Sequence, residues 1–158
     1  MNTDLFDWSD GYGVGVQEID EQHKELVDLL NQLHTGLIDR RSSETMRKIL
    51  DELAEYTRTH FSVEESLMRV SNYPDFDLHK RYHEDLIAQI VALQDRLDSG
   101  DEKITFELLL FLKLWLTNHI NEADKLFGAY FTSIGGETRW APHVQQSMET
   151  KTWWWKFW

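Results

Sequence analysis

The chain contains no cysteine. That excludes a disulfide framework, a redox thiol and a thiolate metal site, and it fits a reducing cytoplasm, the expected location. Positive charge is scarce, with 16 Lys and Arg against 28 Asp and Glu and a formal net charge of −12. This argues against nucleic acid and anionic membrane surfaces as partners of the folded body, since both would repel it. No apolar run approaches the ~20 residues that span a bilayer. The richest, LLLFLKLWL ending at Leu116, is short and carries Lys113. The acidic N-terminal stretch lacks the basic and apolar regions of a signal peptide. A GYGVG run at residues 11–15 has no strand before it and no lysine after it, so it does not read as a phosphate loop.

At 158 residues the chain is expected to form a single core, burying about two thirds of its unfolded surface. Four segments carry apolar residues at alternating steps of three and four, the spacing of one helix face. The first begins between Val16 and Asp20 and runs to Ile38, with Ile19, His23, Leu26, Leu30, Leu33 and Leu37 inward. The second, Ser43 to Val70, places Met46, Leu50, Leu53, Thr57, His60, Glu64 and Leu67 on its stripe. The third, Asp75 to Leu97, carries Phe76, His79, His83, Leu86, Ile90, Leu93 and Leu97. The fourth, Thr105 to Phe131, carries Leu109, Leu112, Leu116, His119, Ala123, Leu126 and Tyr130. Asp124, five residues after His119, would lie about 140° round a regular helix and flank that stripe. Short connections between long amphipathic helices predict an all-α, up-down-up-down four-helix bundle. An N-terminal arm packing through Phe6 and Trp8 precedes it, and a short aromatic tail follows. The expected division is 1–132 for the bundle and 133–158 for the extension.

His60 and Glu64 form an HxxxE pair, and His79 and His83 an HxxxH pair. Each spacing puts both side chains on one helix face, able to reach a common ion. In an up-down bundle the start of the first helix, the end of the second, the start of the third and the end of the fourth share one end. His23, His60, Glu64, His79, His83, His119 and Asp124 therefore converge. Five histidines and two carboxylates at one level of a core would be unpaired unless something joined them, which argues for a metal. Imidazole with carboxylate suits iron, zinc or manganese better than calcium.

The segments IDEQH around His23, HFSVEE around His60, YPDFDLHKRYH around His83 and WLTNHINEAD around His119 resemble hemerythrin, specifically its single-domain bacterial form, over roughly residues 8–132. The resemblance implies two iron ions in a non-haem di-iron centre with a bridging oxo or hydroxo group, binding O2 reversibly. By the family's pattern His79, His83 and His119 hold one iron and His23 and His60 the other. Glu64 and Asp124 bridge them, and O2 binds at a vacant position on the two-histidine iron. Bulky apolar residues surround the O2 pocket in this family, here Leu26, Phe61, Trp115 and Leu116. No histidine follows a glutamate by three residues, so the Glu-x-x-His repeat of ferritin-like di-iron proteins is absent. Two carboxylates rather than four supply less negative charge, which favours an oxygen carrier over an oxidase. The function expected is O2 storage or delivery by a protein that is not an enzyme. The alternatives are an oxygen or redox sensor acting through a partner, and a di-iron enzyme consuming peroxide or NO.

His34 lies about 16 Å beyond His23 along the first helix, too far to share the site, and reads as a core or cap residue. His143 reads as solvated. The tail ends in WWWKFW, too aromatic to leave in water without a purpose. Packing on the bundle, docking to a protein partner and insertion at a membrane interface all remain open for it. The ligand stripes are complete by Asp124 and Gly135 and Gly136 form a natural break, so the tail is expected to be separable from the site.

Overall fold

The computed structural model describes residues 4–136; residues 1–3 and 137–158, including His143 and the WWWKFW run, lie outside the described residues. The helices are α1 (Gln17–Ile38), α2 (Ser43–Val70), α3 (Phe76–Asp98), α4 (Phe106–Asn118) and α5 (Lys125–Ser133), with a π-helical segment (His119–Asp124) joining α4 to α5. These last three make one rod, so the described residues form a four-helix bundle without strands.

Local chemistry sets the helix ends. Ser42 Oγ accepts from the Thr45 N–H and Thr105 Oγ1 from the Leu108 N–H, each at 3.2 Å, capping α2 and α4. The α2 end is closed by Asn72, which adopts a left-handed φ of 53°. This lets the Tyr73 N–H reach back to the Met68 carbonyl at 2.9 Å. Asn is among the few side-chain-bearing residues that visit this conformation routinely. The turn reverses the chain at once, which sets the start of α3 beside the end of α2.

Two apolar clusters flank the site level. One contains Leu30, Leu33, Met46, Leu50, Leu53, Leu93 and Leu109 at the far end. The other contains Val16, Ile19, Met68, Ile120, Phe127 and Phe131 at the near end. The arm closes over the first and fourth rods as a strap. Phe6 is 2% exposed, and Asn31 both accepts from its N–H and donates to its carbonyl at 2.9 Å. Asp20 Oδ1 accepts from the Val14 N–H at 2.8 Å.

The fourth stripe departs from expectation beyond His119. Leu109, Leu112 and His119 are buried as predicted, but then Asp124, Phe127 and Phe131 face inward while Leu126 is 64% exposed. Hydrogen bonds of i→i+5 type take one extra residue into the turn, so the inward face slips by one position. Asp124 consequently sits over His119 instead of flanking it. Of the four neighbouring rod pairs, α3 and α4 are the least closely packed. Two grooves of about 320 Å³ each lie in that seam.

Candidate metal centre

All seven side chains converge and are buried, with His79 3% and His119 7% exposed. Their arrangement divides into two sets that share the carboxylates. Glu64 Oε1 faces His60 Nε2 at 3.2 Å and His23 Nε2 at 3.7 Å. Its Oε2 faces His83 Nε2 at 3.2 Å and His79 Nε2 at 3.4 Å. Asp124 Oδ2 faces His23 Nε2 at 2.9 Å, and its Oδ1 faces His79 and His119, each at 3.0 Å. Each carboxylate thus turns one oxygen to the histidines of α1 and α2 and the other to those of α3 and the fourth rod. The π turn makes the Asp124 half of this arrangement, because a regular helix would point that side chain elsewhere.

The donor set fits a metal pair. His23 Nε2, His60 Nε2, His79 Nε2 and all four oxygens of Glu64 and Asp124 are buried without a hydrogen-bond partner, although they lie within ion-pair distance of one another. Unsatisfied buried polar atoms cost about 1–3 kcal/mol each, more for charged groups. Imidazole and carboxylate aimed at a common interior form a donor set that a metal pair can occupy once the rings are deprotonated.

Outer contacts orient the rings. His60 Nδ1 pairs with Gln22 Oε1 at 2.7 Å and His83 Nδ1 with Glu65 Oε1 at 3.1 Å. Phe61 stacks on the His83 ring at 3.6 Å and 4°, and Trp115 on His119 at 4.6 Å and 15°. Gln22 and Glu65 are absent from the sequence-predicted set. Their only signal there is adjacency, each being the chain neighbour of a candidate ligand.

Without metal, burial pulls His23 and His79 down, but Asp124 and Glu64 outweigh it and push both up to about 9. Burial lowers His60, with Glu64 acting against it. Burial raises the carboxyls of Glu64 and Asp124, and in Asp124 the Glu64 charge adds to it. The surrounding histidines prevail and hold both below the ordinary carboxylate range. The raised histidines contribute stability that is complete below their ordinary 6.5 and lost as pH rises to about 9. The depressed carboxyls contribute stability present above their ordinary range and lost in acid. A metal must displace the protons on His23 and His79. Metal affinity of the stripped protein is therefore expected to rise between pH 7 and 9 by up to roughly 100-fold per unit, tenfold for each proton released. Titration with ferrous ion at several pH values checks this; a flat profile contradicts the protonated pair.

A small pocket of about 30 Å³, walled almost wholly by apolar side chains, abuts the site. Leu26, Phe61, Trp115 and Leu116 line it, with Leu30, Leu53, Leu86, Ile90, Leu112 and the edges of His60 and His119. Thr57 adds the one hydroxyl, which donates to the Leu53 carbonyl at 2.7 Å. A water needs two to four polar partners, and this wall offers almost none. A small apolar molecule suits it better.

Residues 14–131 match the profile of the Hemerythrin HHE cation binding domain. The bacteriohemerythrin of Methylococcus capsulatus is 36% identical over 117 residues, which are 74% of this chain and 88% of the relative. That of Stenotrophomonas maltophilia is 34% identical over 123 residues, 78% and 79% of the two chains. A crystal structure of wild-type hemerythrin superposes with a TM-score of 0.75 at 33% identity, covering 79% of this chain and 96% of that one. Bundle, buried histidine and carboxylate cluster and sequence likeness agree, and the chain belongs to the hemerythrin family.

Proposed function

We propose that the protein binds O2 reversibly at a non-haem di-iron centre and serves to store or deliver it, without itself being an enzyme. His23 and His60 would hold one iron and His79, His83 and His119 the other, with Glu64 and Asp124 shared between the two groups. When bound, the iron pair supplies the electrons and Lewis acidity for reversible O2 binding. The observation that carries the reading is the junction of a shared-carboxylate site with a small apolar pocket whose wall includes His60 and His119.

The chain's own residues do the rest. Gln22 and Glu65 fix the His60 and His83 rings through Nδ1, leaving Nε2 aimed inward. Leu26, Phe61, Trp115 and Leu116 exclude water and protons from the side where O2 is held. Metal analysis, with absorption spectra of the reduced protein before and after O2, tests the proposal. Two irons per chain and a visible charge-transfer band that appears with O2 and vanishes on its removal are expected. One metal per chain, or zinc retained under iron-replete expression, overturns it.

Leu116→Ala tests the wall. It is expected to keep both metals and to lose the oxygenated form faster, because Leu116 is half-buried and its truncation opens the pocket beside His119 toward solvent. The decay of the oxygenated spectrum measures this. An unchanged rate would show that Leu116 does not guard the site.

A further inference from the structure

The α3–α4 seam carries apolar side chains where the outer surface of a bundle is ordinarily polar. Leu78 and Tyr82 on α3 are 48% and 44% exposed, and Leu114 and Leu126 on the fourth rod 50% and 64%. Three of them, Leu78, Tyr82 and Leu126, line the groove of about 320 Å³ at the site end, whose wall also includes Trp115 and the edges of His79 and His119. Asp75 and Glu122 stand in the same wall. Beyond Gly136 the sequence runs for 22 residues and includes WWWKFW, Trp153 to Trp158.

We propose that this groove is the docking site of the chain's own Trp153–Trp158 segment. Three observations choose this occupant over a second copy or another macromolecule. Reach is the first. Leu126 lies seven residues before the end of α5 at Ser133, about 10 Å along the rod, and Gly136 turns back so that its N–H donates to the Phe131 carbonyl at 2.9 Å. The 16 residues between Gly136 and Trp153 can span up to about 55 Å. Chemistry is the second, because an open apolar seam and a cluster of aromatics are complementary, each large ring burying roughly 150–250 Å² when seated. Charge is the third. Lys156, set among the aromatics, meets Asp75 and Glu122 here, whereas the other groove of the seam carries Arg96. Seated there, the segment rests against the wall that includes His79 and His119. It adds no ligand, since the candidate set is complete by Asp124.

The absence of cysteine makes the test direct. The full-length, metal-loaded Leu126→Cys/Lys156→Cys protein is treated with a short bis-maleimide, and Lys48→Cys/Lys156→Cys serves as control, Lys48 being 73% exposed on α2. Docking predicts an intramolecular cross-link at least about tenfold faster for the Leu126 pair, with a rate unchanged on dilution. Equal rates for the two pairs overturn the proposal. A cross-linked dimer whose rate falls on dilution overturns it in favour of a second copy. Binding of the full chain to phosphatidylcholine–phosphatidylglycerol vesicles without the Leu126 cross-link overturns it in favour of a membrane surface.

Discussion

Glu64→Ala is expected to abolish metal binding at both positions, whereas His60→Ala retains about one metal per chain. The difference follows from the carboxylate's reach. Glu64 lies within 3.7 Å of the Nε2 atoms of four histidines, two in each set, while His60 belongs to one set only. Loss of an outer-shell partner already costs metal sites about 10–100-fold in affinity. Removing a ligand shared by two ions must exceed that at each, so the apparent affinity should fall by well over about 100-fold. Gln22→Ala, which removes the His60 Nδ1 contact at 2.7 Å, should stay within the outer-shell range. Metal content after desalting, with circular dichroism as the check on folding, separates the three. Two metals retained by Glu64→Ala would show that the shared oxygen pattern does not hold a pair.

How much of this was legible in the sequence depends on which physical rule governed each residue. Regular helices obey a fixed period, and for that reason α1, α2 and α3 lie within a residue or two of their predicted bounds. His60, Glu64, His79 and His83 come together because i,i+4 spacing on two such helices admits little else. The fourth rod was legible only as far as His119. A π turn is not written in apolar periodicity, so the stripe through Ala123, Leu126 and Tyr130 was projected one residue out of phase. The residue whose placement was misjudged, Asp124, is the one the irregular turn carries inward, and local departures of this kind concentrate at functional sites. Gln22 and Glu65 were illegible for another reason. Their role depends on side-chain direction across a helix interface, which spacing within one helix does not encode.

The irregular turn also bears on what the site can do. A regular helix through residue 124 would leave one carboxylate, Glu64, between five histidines. With Asp124 inward, two negative groups face the set, and His23 and His79 each have carboxylate oxygens on two sides. Two metal positions rather than one become electrostatically reasonable. The pocket meets the site at His60 and His119, one ring from each group. A ligand held there would touch mainly aliphatic and aromatic carbon.

Gly128→Ala is expected to cost about 2–4 kcal/mol and to lower the melting temperature by roughly 4–16 °C for a chain of this size. In an unobstructed helix the same change would stabilise, by up to about 1 kcal/mol. The sign reverses here because the strap crosses directly over Gly128. A Cβ added there would stand 2.1 Å from the Val14 carbonyl oxygen and 3.0 Å from its carbon, and those are backbone atoms that no rotamer change can clear. Nor can the strap slide aside freely. The Val14 N–H is held by Asp20 Oδ1 at 2.8 Å, Lys125 Nζ donates to the Gly11 carbonyl at 2.6 Å, and Val14 and Val16 are both buried. Lifting them would expose side chains worth about 1.5–3 kcal/mol apiece. Gly11→Ala, whose new Cβ meets nothing nearer than Ser9 Oγ at 3.6 Å, should stay within about 0.5 kcal/mol of the parent. The consequence reaches the site, because the strap carries Trp8, whose ring lies 6.4 Å from that of His23. A displaced strap opens that side to water, so metal-loaded Gly128→Ala should also surrender its metal to a chelator faster than Gly11→Ala. A Gly128→Ala protein melting at or above the parent temperature would show that the backbone contact is not made.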